Sequence, residues 1–274
     1  MMAQRPATVL IAHHDAPLHT DGLARWMSSW SDLRGIVVIE EPGGLFFRRV
    51  RRELSRVGLW RLLDVLAFRL WYRWRWARQD DAWRTQRLSA LQETYPAVPA
   101  SVPILRVTTP NAATSQAFIA NAAPTLTLAL CKNILAERIF SIPTKGTFVL
   151  HPGICPEYRN AHGCFWALAQ GDVERVGMTL LRIDRGIDTG PVYGFFRAPY
   201  DEQHESHIVI QHRMTLDNLN QIAARFLEIV AGRADVIPTA GHESHVWGQP
   251  WLSAYLRWRR GAKHRGDIRA DHRA

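Results

Sequence analysis

Apolar residues fall in short runs separated by longer amphipathic stretches along most of the chain. Residues 8–12 (TVLIA) and 35–39 (GIVVI) are rich in β-branched residues and bounded by polar or turn residues, so they read as buried strands. Residues 20–31 read as a helix between them, with Thr20 or Asp21 as its cap. Strand, helix, strand in this order predicts a parallel sheet. Residues 45–92 interrupt the rhythm: they lack proline, have Gly58 as an interior breaker, and read as two or three helices. Pro96, Pro99 and Pro103 mark a linker, after which 103–107 (PILRV) resumes the sheet. A helix over 112–122, strands at 126–130 and 147–150, and a helix over 162–170 follow. Strands are expected at 178–183 and 192–197. Residues 205–232 carry a continuous helical pattern through Ile208, Met214, Leu219, Ile222, Phe226 and Ile229, and Gly232 is its stop.

These elements imply an α/β fold: a Rossmann-like, mostly parallel sheet flanked by helices over 7–232, with a basic helical insertion at 45–95. Residues 233–274 read as an irregular basic tail, apart from a short helix around 251–260, and the last dozen residues as disordered. The 274 residues are enough for a large core. The N-terminal apolar run is too short for a signal peptide, and no stretch approaches the length of a membrane span. Cys131, Cys155 and Cys164 are odd in number and lack zinc-type spacing, which points to a reducing compartment. A cytoplasmic location is therefore expected. Charge sharpens the picture of the insertion. Ten arginines between Arg48 and Arg78 face only Glu53 and Asp64, so nearly all of the net +9 sits there.

The chemistry concentrates between His151 and Gly190. His151 ends an apolar strand, and ligands of open parallel sheets bind beyond the carboxyl ends of strands. Pro152, Gly153 and Pro156 then impose an irregular loop. A second loop, Gly186-Ile187-Asp188-Thr189-Gly190, lies between two apolar strands. Its glycines are expected to supply positive φ. A histidine and an aspartate meeting at one sheet edge can move protons near neutral pH.

The wording of this segment is less common than its residue types. HPG-x-x-P-x-Y-R from His151 to Arg159, then W-A-x-x-x-G from Trp166, then G-x-T-L-x-x-I-D-x-G-I-D-T-G-P from Gly177 to Pro191, resembles the folate-dependent formyltransferases. That family includes glycinamide ribonucleotide, methionyl-tRNA and amino-sugar formyltransferases. The resemblance is closest over 125–195 and extends loosely over 7–232. It implies transfer of a formyl group from 10-formyltetrahydrofolate to an amine of a small substrate, without a metal. It places the family's catalytic histidine on His151, its aspartate on Asp188, and a second histidine on His162. It also places the pterin between Cys131, Asn133, Ile134 and Leu135 on one side and Asp184 and Gly186 on the other. In the family an asparagine two residues before the histidine donates to the developing oxyanion; here that position is Val149, which cannot donate. A substitute donor is then required, from His162 or from a backbone N–H of 152–155. Without one, the chain would be a non-catalytic folate-binding homologue.

The acceptor follows by elimination. Members that act on methionyl-tRNA carry a β-rich C-terminal domain, and the stretch after Gly232 is short for one. Members that bind glycinamide ribonucleotide have a glycine-rich phosphate cradle after the first strand, whereas here His13-His14-Asp15 follows, with no glycine before Gly22. An amino-sugar or similar amine remains, with His13, His14 and Asp15 as acceptor contacts. The same trio faintly resembles the metal loop of zinc-dependent N-deacetylases, but Ala16 stands where that loop needs a second acid. For residues 45–78, Leu59, Leu62, Leu63, Leu66, Leu70 and Trp74 approximate one face among arginines and tryptophans. Packing on the core, a homodimer contact, an anionic membrane surface and nucleic acid are four readings of that pattern.

Overall fold

The computed structural model describes residues 5–41 and 45–271, with side chains for all of these except 45–57 and 267–271. The arginines at 48, 49, 51, 52 and 56 therefore lie outside the described side chains.

Strand β1 (Ala7–His13) is buried along its whole length. Its run of Val, Leu, Ile and Ala suits a central strand covered on both faces. A π-helical turn (Leu18–Leu23) and α1 (Ala24–Trp30) lead to β2 (Asp32–Ile39). The insertion follows as α2 (Leu45–Arg75) and α3 (Ala77–Thr94). Gly58 breaks α2 with φ 77° and ψ 169°, as its place in the sequence anticipates. Next come β3 (Ile104–Val107), α4 (Ala113–Ala122), β4 (Leu126–Leu130), α5 (Glu137–Phe140) and β5 (Thr147–His151). The chain then forms β6 (Arg159–Asn160), α6 (Gly163–Gln170), β7 (Met178–Arg182) and β8 (Val192–Phe196). It finishes with α7 (His207–Leu216), α8 (Leu219–Val230), β9 (Val246–Trp247) and α9 (Leu252–Asp271).

The main sheet has the order β3-β2-β1-β4-β5-β7-β8. Its first five strands are parallel, and β7 and β8 extend it antiparallel. This is the expected mostly parallel α/β architecture. The chain moves outward from β1 to β3, then returns to pair β4 on the other side of β1. That reversal opens a crevice between the carboxyl ends of β1 and β4, with β5 next in line.

Three expectations are corrected. The helical pattern over 205–232 is two helices, because the Asn218 amide donates to the carbonyls of Met214 and Arg197, each at 3.0 Å. It takes the acceptor that a continuous helix would use. The irregular tail is a folded element: α9 buries Ala254, Tyr255, Trp258 and Ala262 in the main core. Its core residues outweigh the polar composition around them. On α2 the buried face is Leu62, Val65 and Phe68, whereas Leu59, Leu63, Leu70 and Trp74 point outward. The core takes the narrower stripe, since the arginines flank both faces.

Trp258 is 1% exposed and meets Phe165 and Tyr255 edge-on. Trp258→Ala is expected to destabilise the fold by about 3–5 kcal/mol, read by denaturant unfolding. A loss under about 1 kcal/mol would show that α9 is an appendage.

Candidate active site

The loop after β5 is held down by close backbone contact. Gly163 opens α6 directly against Gly153. A Cβ on Gly153 would lie 2.6 Å from the Tyr158 carbonyl oxygen and 2.8 Å from the Gly163 Cα. Thr179 on β7 fastens the same loop, donating to the Gly153 carbonyl at 2.6 Å and accepting from Cys155 N–H at 3.0 Å. From the other side, β9 pairs with β6 in parallel. The Trp247 indole donates to the Glu157 carbonyl at 2.9 Å and stacks on Tyr158 and Trp166.

Within this frame His151 and Asp188 come together. His151 is 3% exposed, and its Nδ1 lies 3.3 Å from Asp188 Oδ2. Its Nε2 lies 2.7 Å from the Tyr158 carbonyl oxygen. Both ring nitrogens face acceptors, while a neutral imidazole has only one N–H. Both contacts become hydrogen bonds only when the ring carries a second proton.

Asp188 reaches this place at a conformational cost. Its φ is 52°, and its Oδ2 also accepts the Asn160 N–H at 2.7 Å. Asn160 and His162 have φ of 77° and 54°. Three of the four described non-glycine residues with positive φ thus lie in the two loops that hold the His151–Asp188 contact. Strain of about 1–3 kcal/mol per residue, concentrated this way, is characteristic of functional loops. Gly186 and Gly190 do not supply the positive φ expected of them. Their lack of a Cβ instead leaves room for Thr189 and for the Arg182 carbonyl.

The flanking loops are ordered mainly by their own bonds. Asp184 accepts from Gly186 N–H at 2.9 Å and from the Thr189 hydroxyl at 2.8 Å. Arg185 makes a two-pronged contact with Glu137 at 2.9 and 3.1 Å, tying this loop to the segment after β4. In that segment Leu135 is buried, Ile134 is exposed, and the Cys131 thiol contacts the Asn133 carbonyl at 3.7 Å. Burial pushes the Cys131 thiol up to about 11, so it is no nucleophile at neutral pH. At the crevice between β1 and β4, His13 Nε2 accepts the Lys132 N–H at 3.1 Å. His14 and Asp15 are exposed beside it. Among the described residues no cluster of three or more His, Cys, Asp or Glu is placed to hold a metal ion.

His162 opens on a separate cavity of about 290 Å³, whose lining includes neither His151 nor Asp188. Its ring meets His207 at 5.6 Å, and its Nδ1 is buried without a partner. Burial lowers the His162 imidazole to about 4, helped by the charges of Lys132 and Arg69. Burial likewise lowers His19 to about 4 and His212 to about 3. His207 is pushed well below its ordinary value by the same cause. Sequence reading missed His19, His207 and His212. The last two lie on a helix whose pattern reported only its apolar face, His212 within the polar run 211–213.

The sheet order is that of a Rossmann-like fold, and the histidine–aspartate contact lies at the carboxyl end of β5. The family model described as "Formyl transferase" matches residues 82–220, and the chain belongs to that family. A methionyl-tRNA formyltransferase of Sorangium cellulosum is 35% identical over 122 residues, 43% of this chain and 38% of the relative. The chain thus spans well under two thirds of that relative's length. Among solved structures, a sugar N-formyltransferase from Shewanella matches with TM-score 0.52 at 11% identity, over 93% of this chain and 87% of the other. A phosphoribosylglycinamide formyltransferase from Anaplasma phagocytophilum matches with TM-score 0.53 at 14% identity, over 88% and 98%. These two likenesses establish the fold.

The neutral histidines set an acid limit. Their folded values lie below the ordinary 6.5, so the unfolded chain binds protons first. Their stabilising contribution is complete above about pH 6.5 and is lost as pH falls through about 4. Thermal midpoints should decline across that window, and His212→Asn should flatten the decline. An unchanged slope in the variant would contradict this origin.

Proposed function

We propose that the chain transfers a formyl group from 10-formyltetrahydrofolate to the amine of a small substrate of the amino-sugar kind. The observation supporting this most directly is the His151–Asp188 contact at 3.3 Å, with a second acceptor on the far side of the imidazole. Acylation of an amine releases a proton, and this ring gains a hydrogen bond when it takes one. The neutral amine attacks the formyl carbon, its proton passes to the His151–Asp188 pair and on to N10 as the formyl C–N10 bond breaks, and tetrahydrofolate leaves. The pterin lies between the 131–135 segment and the 184–188 loop, which Arg185 and Glu137 bridge. His13, His14 and Asp15 face the acceptor at the β1–β4 crevice. No metal enters the reaction.

Val149 packs beside Cys155, Leu181 and Val192, so it supplies shape and no donor. Gly153 N–H is taken by the His151 carbonyl and Cys155 N–H by Thr179. The Ile154 N–H is the remaining amide of this loop, and we assign it the oxyanion. His151→Ala and Asp188→Asn should each lower formyl transfer to amino-sugar nucleotides about 100-fold or more. Val149→Asn should raise turnover up to about 100-fold. Folate binding without turnover of any amine would instead favour a non-catalytic homologue.

A second reading concerns location. On α2, Trp60, Leu70 and Trp74 are 84%, 71% and 76% exposed, beside the exposed Arg69, Arg73 and Arg75. No described helix is long and apolar enough to cross a membrane. Exposed tryptophan among arginines suits the anionic surface of a bilayer. The chain should co-sediment with phosphatidylserine vesicles and be released by salt. Trp60→Ala with Trp74→Ala should abolish sedimentation, and equal sedimentation of that double variant would end the idea.

A further inference from the structure

The cavity beside His162 has a consistent electrostatic character. Arg69 and Tyr72 reach it from α2, Arg84 from α3, His162 from the start of α6, His207 from α7, and Gln249 from the segment before α9. No carboxylate lines it. Asp80 stands behind Tyr72, taking the Tyr72 hydroxyl at 2.6 Å and the Ser206 hydroxyl at 2.5 Å. Exposed Asp81 pairs with Arg84. Arg69 has no ion pair among the described residues. With Arg84 paired to Asp81, Arg69 brings to the cavity a positive charge that no described carboxylate offsets. The unpartnered Nδ1 of His162 adds a neutral hydrogen-bonding position that carries no charge of its own.

The backbone links this cavity to the loop that follows His151. His162 immediately precedes Gly163, whose Cα lies against Gly153 in the loop that follows His151. Cys164 N–H donates to the Pro152 carbonyl at 3.0 Å, which fixes the same approach. A small molecule anchored by one end here can present its other end to the His151–Asp188 pair. The first strand offers no glycine-rich turn to cradle a phosphate, since His13, His14 and Asp15 follow it. The insertion provides the cationic groups that the strand end lacks.

We propose that this cavity binds the phosphoryl group of the acceptor amine, with Arg69 and Arg84 as ionic partners and His162 as a neutral hydrogen-bonding partner. The proposal rests on the formyl-transfer reading for the word acceptor, while the site stands on its own geometry. Planar guanidinium groups match phosphate oxygens in pairs, and a doubly charged anion satisfies both arginines at once. Bound phosphate would also favour the protonated form of His162, which burial otherwise disfavours.

The test is calorimetric titration of the full chain with inorganic phosphate at low ionic strength. Saturable binding at one site is expected. Arg69→Gln and Arg84→Gln should each weaken it about tenfold or more, while Arg73→Gln, exposed on α2 outside the cavity, should leave it unchanged. Phosphate should raise the His162 imidazole pKa, followed by NMR. Absence of saturable binding overturns the proposal, as does an equal loss in the Arg73 variant. Acetate binding as tightly as phosphate overturns the phosphoryl assignment. If the two glutamine variants lose binding to phosphatidic acid vesicles but not to inorganic phosphate, the arginines serve the lipid surface and the subsite falls. The titration needs no folate, so the two ideas fail separately. Formyl transfer without phosphate binding sinks the subsite alone, and phosphate binding without formyl transfer to any amine sinks the acceptor reading.

Discussion

Two glycines, Gly153 and Gly163, lie so close that a methyl group on either would strike the other's backbone. The course of the loop after His151 depends on this contact. It lets the turn after β5 fold beneath the first residue of α6. The Tyr158 carbonyl is thereby brought to His151 Nε2, and His162 is set at the mouth of the adjoining cavity. A bulkier residue would push these groups apart, because the opposing atoms are backbone and have no rotamer to change. Thr179 and the β6–β9 pair then hold the loop from both sides. The site is shaped by backbone packing first and side-chain chemistry second.

Electrostatics divides the molecule into layers. Neutral imidazoles, His162, His207, His19 and His212, lie where burial keeps them uncharged. The insertion supplies permanent positive charge outside that layer. His151 differs from those imidazoles in lying between two acceptors, the Asp188 carboxylate and the Tyr158 carbonyl. Similar side chains thus do different work because their neighbours differ.

Much of the fold could be read from residue order. Buried parallel strands such as 7–13 announce themselves because both faces must be apolar, and the reading of β1, β4 and β5 follows from that alone. The His151 and Asp188 positions were legible through their motif. The helix break at Asn218 was not, since a side-chain bond to Met214 leaves no trace in an apolar period. The orientation of α2 was also hidden: Leu63 and Leu70 look as suited to a core as Leu62 and Val65, and only tertiary packing chooses between them. A short helix at 251–260 was legible, but its extension to 271 and its burial through Ala254, Tyr255, Trp258 and Ala262 were masked by the charged residues between them. The glycines of the 186–190 loop misled because conformational freedom and lack of bulk are both reasons to place glycine, and here bulk decides.

The clamp of β9 on β6 has a consequence in time. Residues 246–247 lie almost ninety positions after the loop they hold, and Trp247 is what covers Tyr158 and Trp166. During synthesis the sheet from β1 to β8 can pair as it emerges, yet the reactive loop lacks its cover until this late segment leaves the ribosome. A nascent chain stalled before Trp247 would hold a formed scaffold around an unfinished centre. The sheet is therefore formed before the segment that covers this loop is available to close over it.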